Sequence, residues 1–101
     1  MRILLAVLAL STLAGCGPIQ STSRLIDADV AIEAARAAGA AQTSPYEFTA
    51  AEAYLQKARE VSGYAQFDAA GKFAAKARDL GNLARKNAMA ASNKAAPREE
   101  K

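Results

Sequence analysis

The sequence predicts an all-α fold, a three-helix bundle or helical hairpin with an alanine-rich packing seam, and three observations predict it. Alanine, the strongest helix former, supplies 27 of the 101 residues. Beyond residue 22, small and apolar residues recur at alternating spacings of three and four, the period of one helix face. Gly39, the Ser44-Pro45 pair and Gly63 then divide that stretch into three.

The same composition sets bounds. Residues 16–101 hold only 16 large apolar side chains, enough for one domain with a thin core. Lys and Arg number 13 against 10 Asp and Glu, and the excess falls to two if Arg2 is removed, too small to suggest a nucleic-acid binder. The chain has no His and no Trp. Without His it lacks the side chain most used for acid and base work near neutral pH, and the commonest metal ligand. One Cys makes neither an internal disulfide nor a thiolate cluster. No enzyme activity, cofactor or metal is expected.

Residues 1–15 read as a signal peptide. Met1 and Arg2 form a short positive region, residues 3–10 (ILLAVLAL) an apolar one, and Leu13-Ala14-Gly15-Cys16 a small-residue cleavage site between Gly15 and Cys16. The apolar run 3–14 is well short of the ~20 residues that a membrane-spanning helix needs. Leu-Ala-Gly-Cys at this position resembles the lipobox of bacterial lipoproteins. The resemblance implies that the Cys16 sulfur receives a diacylglycerol, that cleavage precedes Cys16, and that the freed amine takes a fatty acyl chain such as palmitate. The alternatives are an ordinary secretory signal with an incidental Cys, or a buried core Cys. One acyl chain binds a bilayer marginally and two bind stably, so three would hold the protein there. In such lipoproteins an Asp after the Cys favours inner-membrane retention; Gly17 stands there, which implies the outer membrane, periplasmic face.

Residues 16–22, the lipidated Cys and GPIQST, have the composition of a linker. The helical domain spans 23–95. Its first helix is expected over about 23–38, from a Ser23 cap to Gly39, with Asp27 and Asp29 near the positive end of its dipole and Ile26 and Val30 beside Ala31, Ala34 and Ala38. The second is expected over about 45–62. Ser44-Pro45-Tyr46-Glu47 forms a capping box in which Ser44 accepts the Glu47 amide and Glu47 reaches back. Phe48, Ala51, Leu55 and Ala58 make its apolar face, and Gly63 ends it in the left-handed conformation. The third is expected over about 64–93. Phe67, Ala70, Ala74, Ala77, Gly81, Ala84, Ala88 and Ala91 form a seam of small residues that permits close backbone approach, flanked by Phe73 and Leu80. Close approach accounts for Gly81, whereas Gly71 suggests a kink. Residues 96–101 read as a disordered tail.

Ala34-Ala35-Arg36-Ala37-Ala38-Gly39-Ala40, Pro45-Tyr46-Glu47-Phe48, Ala51-Glu52, Tyr54-Leu55 and Ala58 resemble a family of short alanine-rich bacterial lipoproteins known only as a domain of unknown function. The resemblance covers roughly residues 25–90 and implies an all-helical cell-envelope domain without catalytic residues. Phe67-Asp68-Ala69-Ala70, Ala74, Ala77 and Leu80 also resemble the second helix of a tetratricopeptide repeat, but Lys57 and Ala58 fit the first helix poorly and one repeat is not an array.

Other candidate sites favour bland readings. Asp27, Asp29 and Glu33 suggest a metal site but fit an exposed acidic first turn. Lys72, Lys76, Arg78, Arg85, Lys86 and Lys94 suggest contact with anionic lipid or cell-wall carboxylates, yet also suit a solvated face with an Asp68–Lys72 pair. Tyr46, Tyr54 and Tyr64 suggest carbohydrate stacking, but such tyrosines more often cap a thin core. The function expected is a lipid-anchored structural or interaction module whose partner is a helical protein or a second copy. The alternative is a peptidoglycan tether: the terminal Lys101, the lipobox and the small-residue heptads resemble the murein lipoprotein of enteric bacteria, which links a C-terminal Lys to the cell wall.

Overall fold

The computed structural model of the protein describes residues 1–11 and 16–95, and the side chains of residues 1–6 and 19–94. Five helices follow one another: α1 Arg2–Ser11, α2 Cys16–Ala37, α3 Ala40–Thr43, α4 Pro45–Gly63 and α5 Phe67–Ala95. The fold is all-α, with no strand among the described residues.

Side-chain neighbours give the topology. Arg24 lies against Gly71, and Ala31 and Ile32 lie against Gly81, so α2 and α5 run parallel. Asp29 pairs with Arg59 and Arg36 with Glu52, so α4 runs antiparallel to α2. Tyr54 stacks on Phe73, and Asn87 donates to Ser44, so α4 is also antiparallel to α5. The result is an up-down-up bundle in which α5 packs along both α2 and α4, and those two meet less extensively. Among the described residues α1 contacts no other helix, and its Ile3, Leu4 and Leu5 are exposed.

Alanine dictates how this core is built. Ala28, Ala31 and Ala35 of α2, Ala51 and Ala58 of α4, and Ala70, Ala74, Ala77, Ala84 and Ala88 of α5 are all buried, with Ile32, Phe48 and Leu55 as the largest side chains among them. Phe73 and Leu80 lie half-buried against this cluster, and Phe67 and Ala91 are also half-buried. Helix separation depends on the side chains at the contact, and methyl groups hold it at the short end of the usual 8–10 Å or so. Gly81 marks the closest approach. A Cβ there would sit 3.2 Å from the backbone of Ala31 and of Ile32.

Several boundaries differ from those the sequence suggests. Residues 17–22 are not a linker: α2 begins at Cys16 and passes through Ser23, which is exposed and does not cap. Pro18 sits in the first turn, where its missing N–H would have no helical partner anyway. Ser21 is buried, so the extra turns are held by packing rather than by propensity. On α2 the inward residues are Ala28, Ala31, Ile32 and Ala35, while Ile26 and Val30 point outward. Gly39 does stop α2 in the left-handed conformation, at φ 82°, and the short α3 then bridges to α4. No kink arises at Gly71, since α5 is continuous; the space a Cβ would fill is taken by the Arg24 guanidinium, 3.0 Å away.

The end of α4 differs in an instructive way. Gly63 is its last helical residue, and the left-handed residue is Ala65, at φ 60°. Gln66 N–H bonds to Val61 C=O at 3.0 Å and Ala65 N–H to Ser62 C=O at 3.0 Å, the two bonds of a Schellman motif. α5 accordingly starts at Phe67 rather than at 64. The glycine thus sits two positions before the residue that needs it. A Cβ on Gly63 would meet nothing within 4 Å. Gly63→Ala is expected to stabilise the fold by about 0.5–1 kcal/mol through helix propensity, and Ala65→Gly by about 1 kcal/mol through relief of the left-handed strain. Urea unfolding of the two single variants and the double variant checks this: both midpoints rise, and a fall for Ala65→Gly would refute the cap assigned here.

Candidate functional site

The residues that the sequence singles out lie on four surfaces. Cys16 is the first residue of α2. Residues 13–15 of the proposed lipobox, including Gly15, lie outside the described residues, as does Lys101 with the rest of 96–101.

Ser44 and Glu47 sit where α3 meets α4, but not as a reciprocal capping box. Ser44 makes no side-chain bond to a backbone amide; its ψ of 59° departs from the extended cap geometry. Its hydroxyl instead donates to Glu47 Oε2 at 2.6 Å and accepts from Asn87 Nδ2 at 3.2 Å. That bond from Ser44, and one from the Glu47 backbone, hold the Glu47 carboxyl below its ordinary pKa. The trio therefore ties the start of α4 to α5. Asn87 offers no local sequence signal for this role, because its partner lies 43 residues away.

The acidic residues of α2 are drawn apart rather than gathered around a cation. Asp29 binds Arg59 at 3.1 Å, Glu33 pairs with Arg36, and Arg36 also reaches Glu52 at 3.7 Å while lying 5.5 Å from the centre of the Phe48 ring. Glu33 raises the Arg36 pKa by hydrogen bond and charge. These groups line a groove of about 580 Å³ between α2 and α4, with Ile32 and Leu55 in its lining. The charged side chains are all about half exposed or more, so each pair contributes about 0–1 kcal/mol and chiefly sets register. Among the described residues no cluster of three or more metal-ligating side chains occurs.

The tyrosines do not form one stacking platform. Tyr54 is half-buried, its ring 6.2 Å from that of Phe73 and 5.0 Å from Lys76 Nζ. Tyr46 and Tyr64 are exposed at opposite ends of α4. On α5, Lys72 pairs with Asp68 at 3.4 Å and Arg78 with Asp79 at 3.0 Å. Arg85 and Lys86 face a shallow surface shared with Asn82, Met89 and Asn93.

One surface escapes sequence reasoning. Ile19, Ile26 and Val30 are 74%, 58% and 63% exposed, and at spacings of seven and four they form a stripe on α2 opposite its packed side. The two apolar sides of α2 carry no polar face between them wide enough to show which turns inward.

Fold and surfaces together define a small all-α domain with a methyl-lined core and ion-paired helix edges. The chain belongs to the family described as Domain of unknown function (DUF4398), whose model matches residues 23–99. Comparison with curated proteins and with solved structures gave no match. The family match begins inside α2, seven residues after Cys16. No helix is long and apolar enough to cross a membrane, among the described residues.

Proposed function

We propose that the protein is a lipoprotein of the outer membrane, held at its periplasmic face through acyl chains on Cys16, and that the helical domain is a structural or protein-interaction module without catalytic activity. The observation that carries this reading is Leu13-Ala14-Gly15-Cys16 directly after an apolar run too short to span a bilayer. Two features support it. Ile3, Leu4 and Leu5 of α1 are exposed, as suits a segment that is removed and not part of the core. The outward stripe of Ile26 and Val30 gives the domain apolar surface for a partner helix, at the i, i+4 spacing such contacts use. At Cys16 the thiolate forms a C–S bond to the diacylglyceryl carbon of a phospholipid as that carbon's C–O bond to the phosphate head group breaks, water hydrolyses the 15–16 peptide bond, and the freed amine takes an acyl chain from a phospholipid ester, which leaves as the lysolipid.

Density-gradient separation of envelope membranes tests the location. The protein is expected with outer-membrane markers and extractable by detergent; recovery in the soluble periplasmic fraction would refute it.

A further inference from the structure

We infer that the end of the bundle formed by Ile19 and the α4–α5 turn docks on the bilayer that receives the Cys16 acyl chains, giving the domain a second, non-covalent contact with the membrane. The inference rests on the anchoring proposed above. Its carrier is the register of two parallel helices. Arg24 lies against Gly71. At an equal rise of about 1.5 Å per residue, Phe67, the first residue of α5, is then level with Gln20, and the two line one pocket, so the turn that precedes Phe67 lies at the end of the bundle where α2 begins. A lipid attached at Cys16 therefore brings that turn to the membrane surface. Because α2 is helical from Cys16 onward, no slack chain separates the two.

The chemistry at this end fits a lipid interface. Tyr64 is 73% exposed, Ile19 lies within one turn of Cys16, and Phe67 is half-buried behind them. Tyrosine is enriched at the headgroup level because its ring is apolar and its hydroxyl polar. Each headgroup layer is roughly 5–8 Å deep, about one helical turn, which is the span from Cys16 to Ile19. The neighbouring carboxylates do not oppose the contact: Asp68 pairs with Lys72 and Glu60 with Lys57. Three side chains also fall well short of the roughly 1,200 Å² that a specific protein interface buries, whereas a lipid surface requires no matching shape.

The chain has no Trp, so a single one reports its own surroundings. Tyr64→Trp and Tyr46→Trp place it at the two ends of α4, 18 residues and about 27 Å apart, both at exposed positions. The acylated full-length mature protein is reconstituted into phosphatidylethanolamine–phosphatidylglycerol vesicles with brominated acyl chains; intact mass and flotation establish acylation and binding. Emission of the Tyr64→Trp variant is expected to shift to the blue on vesicle binding and to be quenched severalfold more than that of the Tyr46→Trp variant. Equal, weak quenching of both variants in acylated protein that floats would overturn the inference and leave the anchor standing. Protein that lacks acyl chains and does not float would overturn the anchor itself, and the docking with it. A blue shift already present without vesicles, in protein that sediments as a dimer, would assign this end to a second copy and likewise overturn the inference.

Discussion

Ala77→Leu is expected to lower the thermal midpoint of the domain by about 4–24 °C. Ala77 is fully buried in α5, in the same cluster as Ala28, Leu55 and Ala58, and among the described residues no large side chain is fully buried there that could rotate away to make room. Three additional heavy atoms must therefore push helices apart. Overpacking of this kind costs about 1–3 kcal/mol, and each kcal/mol shifts the midpoint of so small a domain by about 4–8 °C. The separation of α2 and α5 cannot relax cheaply either, because Gly81, one turn further on, already brings the backbones together. Circular dichroism melts check the prediction. An unchanged midpoint would mean that Ala77 faces open space.

Cys16→Ser is expected to abolish retention at the outer membrane. Serine keeps the size of the side chain but not the thiolate nucleophile, so no diacylglyceryl thioether forms and cleavage before residue 16 does not follow. Immunoblots of fractionated cells should show an uncleaved precursor with residues 1–15 still attached, absent from the outer-membrane fraction. Since Cys16 is the first residue of α2 and the buried residues described on that helix begin at Ser21, the variant should keep its helical content. A Cys16→Ser protein that still matures and cofractionates with the outer membrane would show that retention depends on the helical domain alone.

The helices were legible from the spacing of small residues because each methyl group reports a side on which another backbone lies close. Ala70, Ala74, Ala77, Gly81, Ala84 and Ala88 mark one face of α5, and every one of them is buried. Where apolar residues occupy two sides of a helix the spacing loses its meaning. On α2 the inward side carries Ala28, Ala31, Ile32 and Ala35 and the outward side Ile19, Ile26 and Val30, so apolar residues at helical spacing lie on both. Hydrophobicity alone would bury every isoleucine; next to Gly81 the packed side takes Ala31 and Ile32, and Ile26 and Val30 stay outside.

Local chemistry misled at positions where tertiary contacts take over. Glycine and proline in GPIQST suggest a linker, but Ser21 is buried and Arg24 fills the space left by Gly71, so α2 extends back to Cys16. Ser44 and Glu47 have the spacing of a capping box, yet Asn87 supplies the donor that Ser44 accepts. Gly63 suggests the left-handed stop that Ala65 in fact adopts, because the Schellman bonds close two residues later. Asn87 and Arg24 could not be found from the sequence, since their roles exist only once α2, α4 and α5 are assembled.

Lipidation at Cys16 is the step on which the proposed membrane attachment of this methyl-packed helical domain depends. The intact mass of the protein extracted from outer membranes, with fragmentation of its N-terminal peptide, tests this most directly. The prediction is an N-terminus at Cys16 that carries a diacylglyceryl thioether and an amide-linked acyl chain. A mature N-terminus at any other residue, or an unmodified thiol on Cys16, would contradict it.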